Sequence, residues 1–223
     1  MKIAIIPARG GSKRVPKKNI RLFKKIPAIG RIISILKKSK IFDIIIVSTD
    51  SPEIAEVAKK YKAEVPFLRP KNLSGDFATT QSVIKHSIKW LNNKRIYPKY
   101  VCCVYSTAFF LKPKDLLNGF KVLKKGKYKF IFAAAKDIVT AYKSFEKNLE
   151  DLKFLSNKYQ QKRTQDIRDT YHDSGQFYLA ESKNWLSEKS ILGKKSFIVE
   201  IPRERDHDID TLRDWEIAEK FFK

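Results

Sequence analysis

The stretch KIAIIPARGGSKRVPKKN, residues 2–19, decides the fold. It begins with an apolar run typical of a buried strand in a parallel sheet, and a loop follows at once. Gly10 and Gly11 permit close approach to a ligand, and successive backbone N–H groups in such a loop can bind an anion. The residues alone predict either a phosphate-binding loop or a basic surface turn, since neither standard nucleotide fingerprint is present. The loop carries five cations, which are Arg9, Lys13, Arg14, Lys17 and Lys18.

Patterns typical of strands and helices alternate along the first 135 residues. Four repetitions of strand then helix predict an α/β fold with a mainly parallel sheet flanked by helices. Ligands bind beyond the carboxyl ends of such strands, where residues 8–13, 48–50 and 105–108 are expected to converge. The strand patterns are residues 2–8, 43–50, 63–70, 100–107 and 129–135, and the helical patterns are 27–40, 51–62, 79–93 and 113–125.

The alternation stops between about residues 136 and 170, where the chain is polar and rich in loops. We interpret this segment as a small insertion within a single domain that spans residues 1–223. Strand patterns return at residues 174–180 and 197–204, and a helical pattern at 212–223 follows them.

Composition limits the classes of function. Lys and Arg number 47 against 24 Asp and Glu, a formal charge of +23, which favours polyanionic partners but also fits a generally basic surface. No helix-turn-helix signature, RNP motif or zinc-finger spacing is present, so nucleic-acid binding is not expected. Cys102 and Cys103 are adjacent in an apolar run and are expected to be buried thiols. No apolar run approaches the roughly 20 residues of a membrane span, so we expect a cytoplasmic protein without membrane insertion.

A second group of polar residues, RERDHDIDTLRDW, occupies residues 203–215. Asp208 and Asp210 are two positions apart, and on an extended segment this spacing puts both carboxylates on one side. Paired carboxylates beside a triphosphate-binding loop predict a magnesium site in which phosphate oxygens complete the ligand shell. The alternative is that Asp210 or Thr211 caps the final helix.

A third polar group, QKRTQDIRDTYHDSGQFY, spans residues 161–178. Arg163 and Gln165 are suited to binding a carboxylate or phosphate. His172, Asp173 and Gln176 come just before or at the start of the predicted strand. By spacing alone this group is typical of a solvated polar loop.

Taken together, these motifs resemble the CMP-sialic acid synthetase family, the cytidylyltransferases that activate nonulosonic acids. The segments that carry the resemblance follow in order along nearly the whole chain, and YHDSGQFY at residues 171–178 resembles the pseudaminic acid branch. They are residues 6–19 (IPARGGSKRVPKKN), 42–70, 73–80 (LSGDFATT), 83–88 (VIKHSI) and 207–211 (HDIDT).

The resemblance implies a nucleotide-diphospho-sugar transferase-like fold and a reaction that couples CTP to a nonulosonic sugar acid, releasing pyrophosphate, with Mg²⁺ as cofactor. It implies that Asp208 and Asp210 bind the metal, and that Asp210 acts in catalysis with Arg9, Lys13 and Lys18. Arg14 and Lys17 are expected to belong to the general basic surface. The implied nucleotide-binding residues are Arg9, Gly10, Gly11, Ser12, Lys13, Lys18, Asn19, Asp76, Thr79 and Thr80, and the implied sugar-binding residues are Lys143, Arg163, Gln165 and Gln176.

The resemblance also implies a homodimer, in which residues 136–170 reach the partner subunit and place Lys143 and Arg163 at the interface. Several positions depart from the family pattern, and the stretch KDIVTAYKSF at residues 136–145 lacks the proline and arginine expected near the sugar. Ser106 and Phe109 replace prolines, which is expected to free the backbone of their loop, and Gln161 replaces an asparagine. The sugar therefore stays open between pseudaminic, neuraminic, legionaminic and ketodeoxyoctonic acid.

Overall fold

A six-stranded sheet forms the centre of the protein, whose computed structural model describes residues 1–147, 151–187 and 190–222. With strands numbered in chain order, the spatial order is β10-β6-β9-β5-β1-β4. All neighbours run parallel except β9, which is antiparallel to both β5 and β6. The six are β1 (Lys2–Pro7), β4 (Ile44–Ser48), β5 (Tyr100–Val104), β6 (Phe130–Lys136), β9 (Tyr171–Glu181) and β10 (Ser196–Glu200).

Helices cover both faces of this sheet, which confirms the predicted fold class. The core on one face takes side chains from α1, α2, α4 and α6, and the core on the other face takes them from α3 and α5. Two short antiparallel pairs lie outside the sheet, β2 (Leu22–Phe23) with β3 (Ile26–Pro27) and β7 (Phe145–Lys147) with β8 (Leu152–Phe154). The helices are α1 (Ala28–Ser39), α2 (Pro52–Lys60), α3 (Thr80–Asn93), α4 (Pro113–Lys124), α5 (Ser182–Leu186) and α6 (Leu212–Phe221).

Strand β1 is buried on both faces, as its continuous apolar run predicts. Ala4 and Ile6 belong to one core, whereas Ile3 and Ile5 belong to the other, because successive side chains of a strand alternate between faces. Cys102 and Cys103 divide in the same way as buried free thiols. This double burial fixes the position at which the basic loop leaves the sheet.

The predicted strand at residues 63–70 is wrong. The segment meets the sheet only through single parallel bridges of Glu64 with Ile46 and of Leu68 with Thr49. Pro66, between the two bridges, has no N–H to donate to a continuous ladder. Strand β9 is longer than predicted, so His172 and Asp173 lie on a strand and not in a preceding loop.

The described residues between Lys136 and Tyr171 contribute no strand to the central sheet. They contain the β7–β8 hairpin and are tied to the sheet at their base. There Lys136 forms an ion pair with Asp169 at 2.7 Å, and His172 lies between two carboxylates, 2.6 Å from Asp137 and 2.8 Å from Asp206. The imidazole thus links the base of this segment to residues 206–210.

A buried ion pair holds the chain that leads into residues 206–210. Arg205 donates hydrogen bonds to both carboxylate oxygens of Asp115, at the start of α4, at 2.5 and 3.0 Å. It also donates to the carbonyl of Phe110 at 3.1 Å, and its own carbonyl accepts a hydrogen bond from Gln176. Both charged side chains are less than one tenth exposed, so neither has water as an alternative partner.

Among the described residues, no helix combines the length and apolar character that a bilayer crossing requires.

Asp115→Asn should strongly destabilise the fold, because it leaves the Arg205 guanidinium buried without its counter-charge. We expect a loss of about 3–5 kcal/mol in the free energy of unfolding, measured by urea denaturation. The double variant Asp115→Asn/Arg205→Met also removes the unpaired cation and should recover much of this loss. An unchanged urea midpoint for Asp115→Asn would show that the pair does not hold this segment.

His172 should stabilise the fold in a pH-dependent way. Its hydrogen bonds to Asp137 and then to Asp206 raise the pKa of the imidazole above its ordinary value near 6.5. The stabilisation is therefore complete below about pH 6.5 and is lost as the pH rises through the raised pKa. His172→Gln should lower the melting temperature more at about pH 6 than at about pH 9. The matched control Lys136→Gln should show a constant difference, because a lysine keeps its charge throughout this range; equal pH trends for the two variants would contradict the assignment.

Candidate active site

A cavity of about 750 Å³ opens at the carboxyl ends of β1 and β5, the edge at which the sequence predicts a ligand. The basic loop after β1 forms one wall, and residues of β9 and of the 208–210 segment form another. The cavity is lined by Pro7, Arg9, Ser12, Lys13, Arg14, Lys18, Asn19, Asp76, Tyr105, Ser106, Thr107, Asp173, Gly175, Tyr178, Asp208 and Asp210.

Two cations of the loop share one carboxylate. Arg9 lies 2.7 Å from one oxygen of Asp76, and Lys13 lies 2.8 Å from the other. These two cations lower the pKa of the Asp76 carboxyl, Lys13 having the larger effect. A single carboxylate thus pairs with Arg9 and Lys13, two of the cations that the sequence predicts to bind phosphate oxygens.

Arg14 also lies in the cavity, so its assignment to the general basic surface is wrong. Its guanidinium donates two hydrogen bonds to Asp210, at 2.7 and 2.9 Å. Lys17, in contrast, points out of the cavity and pairs with Glu53 at 2.8 Å. Lys18 donates to the carbonyl of Ile209 and lies 3.9 Å from Asp210. Partial burial lowers the pKa of Lys18, although the nearby Asp210 charge opposes this effect.

The two predicted metal ligands, Asp208 and Asp210, meet in this cavity. Thr211 caps α6 by accepting a hydrogen bond from the backbone of Asp214, and the Asp214 carboxylate accepts from Thr211 in return. The side chain of Asp210 is therefore not needed as the helix cap. Partial burial in the cavity wall raises the pKa of Asp208, and the neighbouring Asp210 charge raises it further.

This donor set fits a hard divalent cation that takes its remaining oxygens from water and phosphate. The ionised form of Asp208, whose pKa is raised, would gain from a cation placed between it and Asp210. Within the described ranges, no group of three or more acidic, His or Cys side chains is close enough to hold a metal alone. An ion bound here would take the rest of its coordination from water or from a bound ligand.

Asn19 is held as a rigid part of the wall. Its amide nitrogen donates to the carbonyl of Arg9 at 2.7 Å, and Ser106 donates to its amide oxygen at 2.5 Å. Phe109 is buried and stacks on Phe23 at 3.8 Å between ring centroids. Ser106 and Phe109 thus hold their loop through a hydrogen bond and ring packing, and the expected effect of losing two prolines on its backbone stays a prediction.

Gly10, Gly11, Thr79 and Thr80, which are predicted to bind the nucleotide, do not line the cavity. Gly10 donates its N–H to Asp50 at 2.9 Å, and a Cβ there would lie 3.1 Å from the side chain of Ser51. Thr79 caps α3, and the hydroxyl of Thr80 lies 2.5 Å from that of Tyr105, which lines the cavity. Gly11 has open space around it.

The predicted sugar-binding residues do not line this cavity. Gln176 is buried, and its amide donates to the carbonyl of Arg205 at 2.9 Å, so it supports the 205–210 segment. Arg163 is exposed and pairs with Asp166 at 2.8 Å, while Gln165 follows in the same short 3-10 turn. Lys143 lies in a separate turn of the 136–170 segment. The roles of these four residues at the sugar stay predictions.

Two features of the site have no counterpart in the prediction. Tyr178 lines the cavity and donates a hydrogen bond to Asp173 at 2.5 Å. It lies on β9, and the alternation of side chains along this strand is the sequence signal that could have indicated its position. Arg69 lies almost fully buried behind the basic loop, 3.9 Å from Asp50, with two guanidinium nitrogens that make no hydrogen bond to described protein atoms. Burial lowers the pKa of this guanidinium.

A sheet with these crossovers, a cationic loop after β1 and a facing carboxylate pair define a nucleotidyltransferase, and the chain belongs to the cytidylyltransferase family, whose model matches residues 3–221. Among curated relatives it is 39% identical over 222 residues to a pseudaminic acid cytidylyltransferase of Campylobacter jejuni, covering 99% of this chain and 96% of the relative. It is 28% identical to the CMP-N,N'-diacetyllegionaminic acid synthase of Legionella pneumophila, covering 99% and 96%.

The fold is shared with solved structures of lower identity. One is a CMP:2-keto-3-deoxy-manno-octonic acid synthetase complexed with CTP, with a TM-score of 0.73 and 12% identity, covering 98% of this chain and 97% of that one. Another is the 4-diphosphocytidyl-2C-methyl-D-erythritol synthase of Anaerococcus prevotii, with a TM-score of 0.65 and 16% identity, covering 99% and 97%. At these identities the likeness supports the fold alone.

Proposed function

We propose that this protein transfers CMP from CTP to pseudaminic acid and releases pyrophosphate. The observation that carries the proposal is the cavity in which the cations of the β1 loop face Asp208 and Asp210, in a chain 39% identical to relatives named for this reaction. Use of CTP and a soluble sugar acid fits action in the cytoplasm, where nucleoside triphosphates are available.

The loop cations would hold the triphosphate. Arg9 and Lys13 form ion pairs with the two carboxylate oxygens of Asp76. The phosphate oxygens of CTP would replace Asp76 as their partners. Lys18 lies deeper, beside Asp210, and would neutralise charge near the reacting phosphate. Asn19, fixed by Ser106 and the Arg9 carbonyl, presents a rigid amide to the nucleotide. These residues supply position and charge, which phosphoryl transfer needs most.

Asp208 and Asp210 would hold Mg²⁺, which when bound neutralises charge on phosphate oxygens and helps to orient them. The anomeric hydroxyl of the sugar acid would attack the α-phosphorus as pyrophosphate leaves on the opposite side. The proposal requires no covalent intermediate on the protein. The raised pKa of Asp208 supports this assignment, because a bound cation would stabilise the ionised carboxylate.

The part of the cavity lined by Tyr178 and Asp173 would receive the sugar acid. We propose that the protein is a homodimer in which Lys143 and Arg163 serve the partner's cavity. Apolar side chains of the 136–170 segment support a partner surface, since an exposed apolar patch commonly marks a protein interface. More than half exposed are Ile138, Val139, Phe145, Leu152 and Leu155.

With CTP and Mg²⁺ present, the protein should release pyrophosphate faster with pseudaminic acid as the acceptor than with any other sugar acid tested. A coupled phosphate assay across pseudaminic, neuraminic, legionaminic and ketodeoxyoctonic acids measures this. Faster turnover of another of these acids would reassign the substrate while keeping the reaction. No turnover of any of them by folded protein would overturn the proposed function.

Asp210→Asn should lower kcat by at least about a hundredfold, because it removes a charge from the metal site opposite the triphosphate. The melting temperature should change little, since Thr211 and not Asp210 caps α6. Glu216→Gln, an exposed position on α6, removes the same charge outside the cavity and should retain full activity. Turnover of Asp210→Asn at the wild-type rate would refute the metal assignment.

Mixing two inactive variants tests whether Arg163 acts across the interface. Arg163→Ala and Asp210→Asn damage different parts of one composite site, so mixed dimers keep one intact site. After subunit exchange, an equimolar mixture should regain about a quarter of wild-type activity. Failure to regain activity, with exchange confirmed by mass spectrometry, would place Arg163 in the cavity of its own chain or outside the reaction.

A further inference from the structure

Arg14 and Asp210 form the best-aligned ion pair in the cavity. Two hydrogen bonds, at 2.7 and 2.9 Å, join the guanidinium fork to both carboxylate oxygens. The two residues are 196 positions apart in the chain, and their contact joins the basic loop to the 208–210 segment across the cavity. Arg14 therefore occupies the oxygens of Asp210 that a cation would use.

The charges that line the cavity are balanced. Four cations (Arg9, Lys13, Arg14 and Lys18) face four carboxylates (Asp76, Asp173, Asp208 and Asp210). Arg9 and Lys13 are committed to Asp76, and Arg14 is committed to Asp210. Binding a cation at Asp210, or an anion at Arg14, would require the pair between these two residues to open.

We propose that Arg14 couples metal binding to triphosphate binding by exchanging partners. In the ligand-free protein it competes with the metal for Asp210. When the triphosphate binds, Arg14 turns to a phosphate oxygen, and Asp210 becomes available to the metal. This inference rests on the proposed function, because it takes the nucleotide and metal from that assignment.

Such an exchange has a reciprocal consequence. If bound metal raises the affinity for the triphosphate by a given factor, bound triphosphate must raise the affinity for the metal by the same factor. Arg14 should therefore weaken metal binding to the free protein and strengthen nucleotide binding. A residue that only supports the fold would change both affinities in the same direction.

The position of Arg14 favours the triphosphate over the sugar carboxylate as its second partner. It follows Lys13 directly and belongs to the same loop as Arg9 and Lys18. Its side chain is 68% exposed, so it can change partners without disturbing a packed core. Its planar fork fits two oxygens of a phosphate as well as two of a carboxylate.

The experiment measures two separate binding constants for wild type and Arg14→Gln. Electron paramagnetic resonance of free Mn²⁺ reports metal binding to nucleotide-free protein, since Mn²⁺ accepts the same oxygen ligands as Mg²⁺. Isothermal titration with CTP in the presence of EDTA reports nucleotide binding without metal. Lys17→Gln is the matched control, because it removes a cation from the same loop that pairs with Glu53 outside the cavity.

Arg14→Gln should bind Mn²⁺ about tenfold more tightly and CTP about tenfold more weakly than wild type. Arg14→Lys keeps the charge but loses the fork, and it should shift both constants in the same directions by smaller factors. Lys17→Gln should leave both constants near wild type.

Both constants unchanged in Arg14→Gln, or both shifted in the same direction, would overturn the coupling. So would weaker CTP binding without tighter Mn²⁺ binding, which would make Arg14 a phosphate contact only. Tighter Mn²⁺ binding with unchanged CTP binding would show that the second partner of Arg14 is not the triphosphate, and the proposal would be wrong. Pyrophosphate release by wild type in parallel separates these outcomes from failure of the proposed function.

Discussion

A buried ion pair between Arg205 and Asp115 fixes the segment that forms one wall of the candidate active site. The guanidinium takes both carboxylate oxygens at the start of α4 and the carbonyl of Phe110, while its own carbonyl holds Gln176 of β9. Asp208 and Asp210 follow within five residues. Because a guanidinium with no access to water can be satisfied only by such partners, the segment has one position relative to the sheet.

The opposite wall is placed by a different kind of constraint. Strand β1 is buried on both faces, so the loop that follows it starts at a defined point on the sheet edge. Asn19, held by Ser106 and by the Arg9 carbonyl, then fixes the far end of the loop. The two walls face each other with opposite charges and are joined by the ion pair of Arg14 with Asp210. Under the proposed function, substrate binding would exchange these ionic partners.

The sequence predicts most of the fold because its signals are local. The apolar run of β1 and the Ser51 cap of α2 need only neighbouring residues to be recognised. It fails at residues 63–70, where β-type composition suggests a strand but Pro66 interrupts the ladder. It also assigns Arg14 to the surface, because the partner that draws this side chain into the cavity lies 196 residues away. Local spacing identifies which residues are cations, and only the tertiary fold determines which carboxylates they meet.

In the proposed reaction, the anomeric hydroxyl of the sugar acid attacks the α-phosphorus of CTP. Pseudaminic acid labelled with ¹⁸O at the anomeric hydroxyl, turned over with CTP and Mg²⁺, tests it directly by mass spectrometry of the products. We expect the label to be retained in the CMP-sugar, in the oxygen that bridges sugar and phosphorus, and to be absent from pyrophosphate. A CMP-sugar without the label, or label in the pyrophosphate, would rule out attack by the anomeric hydroxyl on the α-phosphorus.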